Sequence, residues 1–184
     1  MHIVGFSGGL SSPSRTLALV NAIVNEFPAN ASAKKTLIDF TPLASQFGAA
    51  LAREQLPGEC VSVLNLVEHA GILVVGAPVY NAAYPGLFKH FFDLVARKGL
   101  QHKPVVIAAN GASAHHSLVL ESHLRPLFSS LGAFVVPTGI YSEANDFRDY
   151  RLINESVSAR IKDAVFESLL LTNTYEKAAV VAGG

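Results

Sequence analysis

Apolar residues along this 184-residue chain follow two alternating rhythms. Short continuous apolar runs occupy 2–6 ("HIVGF"), 34–40 ("KKTLIDF"), 71–79 ("GILVVGAPV"), 104–110 ("PVVIAAN") and 133–139 ("AFVVPTG"). The third and fourth are apolar almost throughout and rich in β-branched residues, as strands buried on both faces of a parallel sheet must be. Between the runs, apolar positions recur every three or four residues. This predicts helices over 13–27, 57–70, 85–98, 115–132 and 150–171, the first with Leu17, Val20 and Val24 on one face. Ser12 is the expected N-cap of the first helix, with Pro13 at its first position. Gly132 is the expected residue just past the end of the fourth. Pro126 clashes with the carbonyl four residues back, so that helix should kink or bulge near Ser122.

Strand–helix alternation from end to end predicts an α/β doubly wound fold, with helices on both faces of a parallel sheet. Five strands suit the flavodoxin-like order 2-1-3-4-5, read as a single domain spanning 1–184, with no role assigned to the tail 172–184. In that order strands one and three are neighbours whose helices leave to opposite faces, and ligands bind in the crevice that opens at their carboxyl ends. Three loops converge there: 7–14, 78–85 and 110–116. They are also the loops richest in Gly, Ser, Asn, Tyr and His.

Composition narrows the options. Half the residues are hydrophobic and 15% are charged, which excludes disorder. Fourteen basic and fourteen acidic residues give no net charge, and no basic stripe marks a nucleic-acid surface. The single cysteine, Cys60, excludes an internal disulfide framework and reads as packing. No apolar run approaches membrane-spanning length, and the N-terminus lacks a signal-like core, so the expectation is a cytoplasmic protein.

The first loop, "GFSGGLSSPSRT", poses an electrostatic question. Helix first turns favour Asp or Glu, yet here an arginine stands there and no acid precedes Glu26. An external anion answers it. Gly8 and Gly9 let backbone N–H groups approach closely. Hydroxyls of Ser7, Ser12, Ser14 and Thr16 can donate, the helix N-terminus adds its dipole, and Arg15 adds a full charge. The set suits a monophosphate dianion. Residues 5–9 also match G-x-S-x-G, but a nucleophile elbow runs straight from strand into helix, and here several residues intervene. G-x-G-x-x-G is absent, so Asp39 reads as a strand-end or cap residue rather than a ribose-binding acid.

In the second loop Val79, Tyr80 and Asn81 offer an apolar edge, an aromatic face and an amide for a planar ring. The same residues also fit a proline-bracketed turn with surface tyrosines. In the third, Gly111 permits close approach, Ser113 can bond a ligand or cap the helix, and His116 is either a ligand contact or a structural histidine. His115 and His116 are not a metal pair, because adjacent residues point apart and no third ligand has suitable spacing.

Together "SGGLSSPSRT", "GAPVYNAAYPGLFKHFFDLV", "NGASAHHSLVLESHLRPLFSSLGA" and "GIYSEANDFRDYR" resemble the NAD(P)H-dependent FMN reductases, and most of all the sulfonate-starvation flavin reductases. The resemblance runs from residue 3 to about 161. It implies that Ser7, Ser14, Arg15 and Thr16 hold the FMN phosphate. Pro78, Val79, Tyr80 and Asn81 would line the isoalloxazine, and Gly111, Ser113 and His116 close the far side. It implies hydride transfer from NAD(P)H to FMN with no catalytic side chain, and delivery of reduced flavin to a partner monooxygenase. It further implies a homodimer or homotetramer, with Lys89 and Asp93 paired along one helix or across subunits. Ser11 and Ala112 depart from the usual loop residues. Ser122 stands where these enzymes tend to carry Tyr or His on a helix bulge. A prosthetic-FMN quinone, azo-dye or metal-ion reductase would use the same loops, and so would a flavodoxin-type carrier, though carriers usually present an acidic face. Finally, Phe88, Phe91, Phe92 and Val95 fill one helical face, and Leu87 and Leu94 extend it beyond one stripe, a further reason to expect oligomers.

Overall fold

The computed structural model describes residues 1–29 and 33–182. Parallel pairing joins β1 (His2–Ser7), β2 (Lys34–Asp39), β3 (Ile72–Pro78), β4 (Pro104–Asn110) and β5 (Phe134–Val135) in the order β2-β1-β3-β4-β5, as expected. The fifth position is broken rather than continuous. β5 pairs with Pro104 and Val105, and the chain then leaves the ladder until β6 (Ile140–Ser142) resumes beside Ala108–Asn110. Pro137 supplies no ladder N–H. Side chains take over the freed groups: Arg125 donates to the carbonyls of Val136 and Pro137, and Glu167 accepts from the Thr138 N–H and hydroxyl.

Alternate strand residues feed two cores. Val4, Phe6, Leu73, Val75, Val105 and Ile107 face α2 (Ala44–Gly48), α3 (Gly58–Glu68), α4 (Gly86–Asp93) and α5 (Arg125–Ser130). Ile3, Ile72, Val74, Val106 and Ala108 face α1 (Arg15–Glu26) and α6 (Glu155–Ala182). The first core is aromatic: Phe6, Phe40, Phe47, Phe88, Phe91, Phe92 and Phe128 interlock, with the Phe6–Phe91 centroids 4.3 Å apart. On the second face α1 lies close to the sheet because β3 carries Gly76. A Cβ there would sit 2.4 Å from Val20 Cγ2 and 3.3 Å from Thr16 Cγ2. This approach sets the start of α1 directly above the ends of β1 and β3.

Helix boundaries depart from the periodicity where side chains capture backbone. Ser14, not Ser12, caps α1, and Pro13 lies outside it after a cis Ser12–Pro13 bond. The helix expected over 85–98 ends at Asp93. Beyond it Glu68 accepts the Ala96 N–H at 2.8 Å, and Arg53 reaches the Leu94 carbonyl. The helix expected over 115–132 is a 3-10 turn (Ala114–His116), a π segment (Leu120–Leu124) and α5. The π segment contains Ser122, where Pro126 was expected to disturb the ladder. Gly132 has φ +77°, the left-handed position after a helix end. The helix expected over 150–171 begins at Glu155 and continues to Ala182, so most of the tail extends α6. Its expected start is occupied by an antiparallel hairpin of β7 (Phe147–Arg148) and β8 (Arg151–Leu152). Asp149 and Tyr150 both have positive φ, as a two-residue hairpin turn requires.

The surface expected on α4 is absent. Leu94 is buried and Leu87 half-buried, packed over Gly48. Lys89 does pair with Asp93, and Cys60 is buried with Gln46 as its partner. No described helix is long and apolar enough to cross a membrane.

Candidate functional site

The start of α1 carries unspent donors. Ser14 Oγ accepts the Leu17 N–H at 3.1 Å, and the first ladder bond runs from Ala18 N–H to the Ser14 carbonyl. The N–H groups of Arg15 and Thr16 therefore lie outside the helix ladder. No acid stands in this turn. Arg15 has no ion-pair partner among the described residues, and its guanidinium lies 6.0 Å from the Tyr150 ring centroid.

In front of this turn opens a cavity of about 380 Å³. Gly9, Ser11, Pro13, Ser14, Arg15 and Thr16 line it from the first loop, Pro78, Val79 and Tyr80 from the second, and Asn110, Gly111 and Ala112 from the third. Ala144 closes it from the segment after β6. The second and third loops are tied together by the Val79 N–H on the Asn110 carbonyl, and β6 by Asn110 Nδ2 on Ser142. No lining residue is acidic.

Seven of the residues singled out in the sequence meet here: Ser14, Arg15, Thr16, Pro78, Val79, Tyr80 and Gly111. Ser7 lies just beneath. It is fully buried, and its hydroxyl has no partner. A Cβ on Gly9 would stand 3.2 Å from Ser14 Oγ and 4.0 Å from Ser7 Oγ, so both hydroxyls flank a space that glycine leaves open. Ser7 cannot serve as a hydrolase elbow, which exposes its Oγ at a direct strand-to-helix turn. Asp39 takes the strand-end role expected as one of two, closing β2 and accepting the Thr41 N–H at 3.0 Å.

Four others stand outside the lining. Ser12 faces a neighbouring groove with Leu17, Leu37 and Tyr150. Asn81 sits at φ 49° in a tight turn closed by reciprocal Tyr80–Ala83 bonds. Ser113 contributes its carbonyl, which accepts the Tyr141 hydroxyl at 2.6 Å. His116 lies in the 3-10 turn, with Nδ1 buried and unpartnered. Ser122 is tied to its own helix, donating to the Leu118 carbonyl at 2.8 Å.

Sequence reasoning missed the floor of the third loop. A Cβ on Gly111 would meet the Tyr141 hydroxyl at 2.0 Å, so with Tyr141 in place position 111 takes only glycine. Burial, and then the charge of Glu143, raise the Tyr141 pKa against the hydrogen bond to Ser113. Tyr150 was also missed. Both lie in "GIYSEANDFRDYR", whose aromatics carry no periodic signal.

The family model described as NADPH-dependent FMN reductase matches residues 1–148. A protein named NADH-dependent FMN reductase SfnF, from Pseudomonas fluorescens, is 42% identical, covering 96% of this chain and 95% of its own. An FMN reductase (NADPH) from Pseudomonas aeruginosa is 41% identical, covering 99% and 92%. The solved structure of an oxidoreductase from Corynebacterium diphtheriae superposes with a TM-score of 0.80 at 31% identity, covering 94% and 97%.

Proposed function

The chain belongs to the NADPH-dependent FMN reductase family, and from that premise we propose that its crevice binds FMN with the phosphate at the start of α1. It is an NAD(P)H-dependent FMN reductase. One observation carries the site assignment: the buried, unpartnered Ser7 hydroxyl beside the acid-free first turn with its free Arg15. A phosphate dianion satisfies these groups together, and a neutral ligand leaves them unmet.

The proposed contact set is Ser7, Ser14, Arg15 and Thr16 for the phosphate, with Pro78, Val79 and Tyr80 along the ring and Gly111 beyond it. Ser12, Asn81, Ser113 and His116 are left out, since none lines the cavity or, as Ser7 does, flanks the open space at Gly9. Bound there, FMN supplies the hydride acceptor for NAD(P)H, so no side-chain acid or base is needed. The chain's own work is positional. The Gly111 N–H is spent on the Ser142 carbonyl, so the Ala112 N–H is the third-loop donor left to meet the polar edge of a ring and favour negative charge there. Val79 and Tyr80 offer a flat wall, and the open front admits a nicotinamide.

Relatives at 42% and 41% identity carry NADH and NADPH in their names, so the reading covers both nicotinamides. The wider reading is one unit over 1–184, acting in the cytoplasm and supplying reduced flavin to a monooxygenase. A homodimer or homotetramer belongs to it. What supports assembly is the exposure of Leu51, Leu118 and Phe166 rather than α4.

The test is nicotinamide oxidation by purified protein with and without added FMN. The reading expects multiple turnovers that depend on FMN. No FMN-dependent oxidation with either nicotinamide overturns it.

A further inference from the structure

The hairpin of β7 and β8 is short, yet it is firmly held. Phe147 and Leu152 pack against the core between α1 and α6. Asp146 closes its base, accepting the Glu143 N–H at 2.7 Å and Asn154 Nδ2 at 2.6 Å, and the Ile153 N–H returns to the Asp146 carbonyl at 2.8 Å. The tip residue Tyr150 sits at φ 59°, a conformation that ordinary side chains rarely adopt and that Asn or Gly adopts readily. A tyrosine there keeps an aromatic ring at a position where the backbone favours a smaller residue. Tyr150 is 44% exposed, so core packing does not account for it.

What the ring touches does account for it. It lines a groove with Ser12, Pro13 and Ser14, on the flank of the turn that opens α1. The Arg15 guanidinium stands 6.0 Å from its centroid, within cation–π range. Arg15 forms no ion pair, so this ring is the group that biases where the guanidinium rests. Asp149, beside Tyr150, lines a separate cavity with Arg148 and Arg151.

We propose that Tyr150 is a positioning residue: its ring holds the Arg15 guanidinium at the phosphate end of the crevice, so flavin phosphate affinity depends on the hairpin tip. This rests on the reading that the crevice binds FMN. A free arginine samples many rotamers and loses that freedom when it meets a phosphate. A ring that already restricts it lowers that cost.

The experiment compares FMN with riboflavin, which lacks only the phosphate, by flavin fluorescence titration of wild type, Tyr150→Asn and Tyr150→Phe. Asparagine removes the ring and keeps the left-handed turn; phenylalanine keeps the ring. Tyr150→Asn should weaken FMN about three- to tenfold, the scale of a partly exposed cation–π contact, and leave riboflavin unchanged. Tyr150→Phe should bind FMN as wild type does. Unchanged FMN binding in Tyr150→Asn overturns the proposal, as does equal weakening of FMN and riboflavin. A wild type that does not prefer FMN to riboflavin overturns the phosphate assignment itself, and this proposal with it.

Discussion

Two cavities of similar size lie at opposite ends of the parallel sheet. One, about 380 Å³, sits at the carboxyl ends of the strands; the other, about 300 Å³, is lined by Met1, Gly71, Lys103 and Pro104, at or just before strand starts. Both contain cationic and hydroxyl side chains and no acid. In the second, the lysine, the tyrosine and the threonine are already engaged, and the remaining amide, Gln101, is exposed and uncharged. Lys103 Nζ donates to the Ala70 carbonyl, the Tyr175 hydroxyl pairs with His102 Nδ1 at 2.9 Å, and the Thr172 hydroxyl donates to the Ser168 carbonyl. In the first, the Ser7 hydroxyl, the Arg15 guanidinium and two N–H groups of α1 are unspent. Volume alone does not make a binding site. Donors that the fold positions and leaves unsatisfied do.

Four substitutions break or sharpen that contrast. Arg15→Glu should have the largest effect. It puts a carboxylate where the phosphate is proposed, replacing attraction by repulsion. FMN affinity should fall by at least about a hundredfold, on the scale of one lost charge-assisted contact plus repulsion. Thermal unfolding should stay near wild type, since Arg15 has no ion pair to lose. Gly111→Ala comes next. Its Cβ meets the Tyr141 hydroxyl, so the bond from Tyr141 to Ser113 must break or the loop must move. Denaturant unfolding should show a loss of about 1–3 kcal/mol, with FMN binding weakened as well.

The third acts on a residue that lines neither cavity. Glu68 is 9% exposed at its side chain and is held by Arg53 and by the Ala96 N–H. Burial alone would raise its pKa, but the Arg53 bond and the Ala96 N–H outweigh burial and lower it. The folded protein therefore binds this proton less readily than the unfolded chain does. The contribution to stability is complete above the unfolded carboxylate value and is lost as pH falls through the folded one. Arg53→Ala should cost about 1–3 kcal/mol in urea at neutral pH and flatten that acid-side slope, with FMN affinity unchanged. Lys103→Met is the mildest. It leaves the Ala70 carbonyl without its donor, costing about 1 kcal/mol, and it should not change FMN binding at all. A loss of FMN affinity in this variant would put the second cavity in contention.

The sheet order was legible because buried parallel strands are apolar on both faces and stand out as unbroken runs. The phosphate end was legible because Arg15 at a helix start without an acid is an electrostatic anomaly within one short loop. The rest depended on contacts between distant segments. Ser14 displaced Ser12 as cap, and Glu68 ended α4 early, twenty-five residues after its own place in the chain. Pro126 announced the π segment, because a proline acts on the turn just before it. Tyr141 and Tyr150 gave no such signal. Their roles come from β6 lying beneath Gly111 and from the hairpin lying against α1, which no local spacing encodes.

The most direct test of the central claim is titration of the wild-type protein with FMN and with riboflavin under one ionic strength. Contacts to a charged phosphate contribute about 1.5–3 kcal/mol each, so two or more predict a preference for FMN well above tenfold. The preference should shrink as salt is added. Equal affinity for the two flavins would contradict the account, because the unspent donors at α1 would then have no anion to meet.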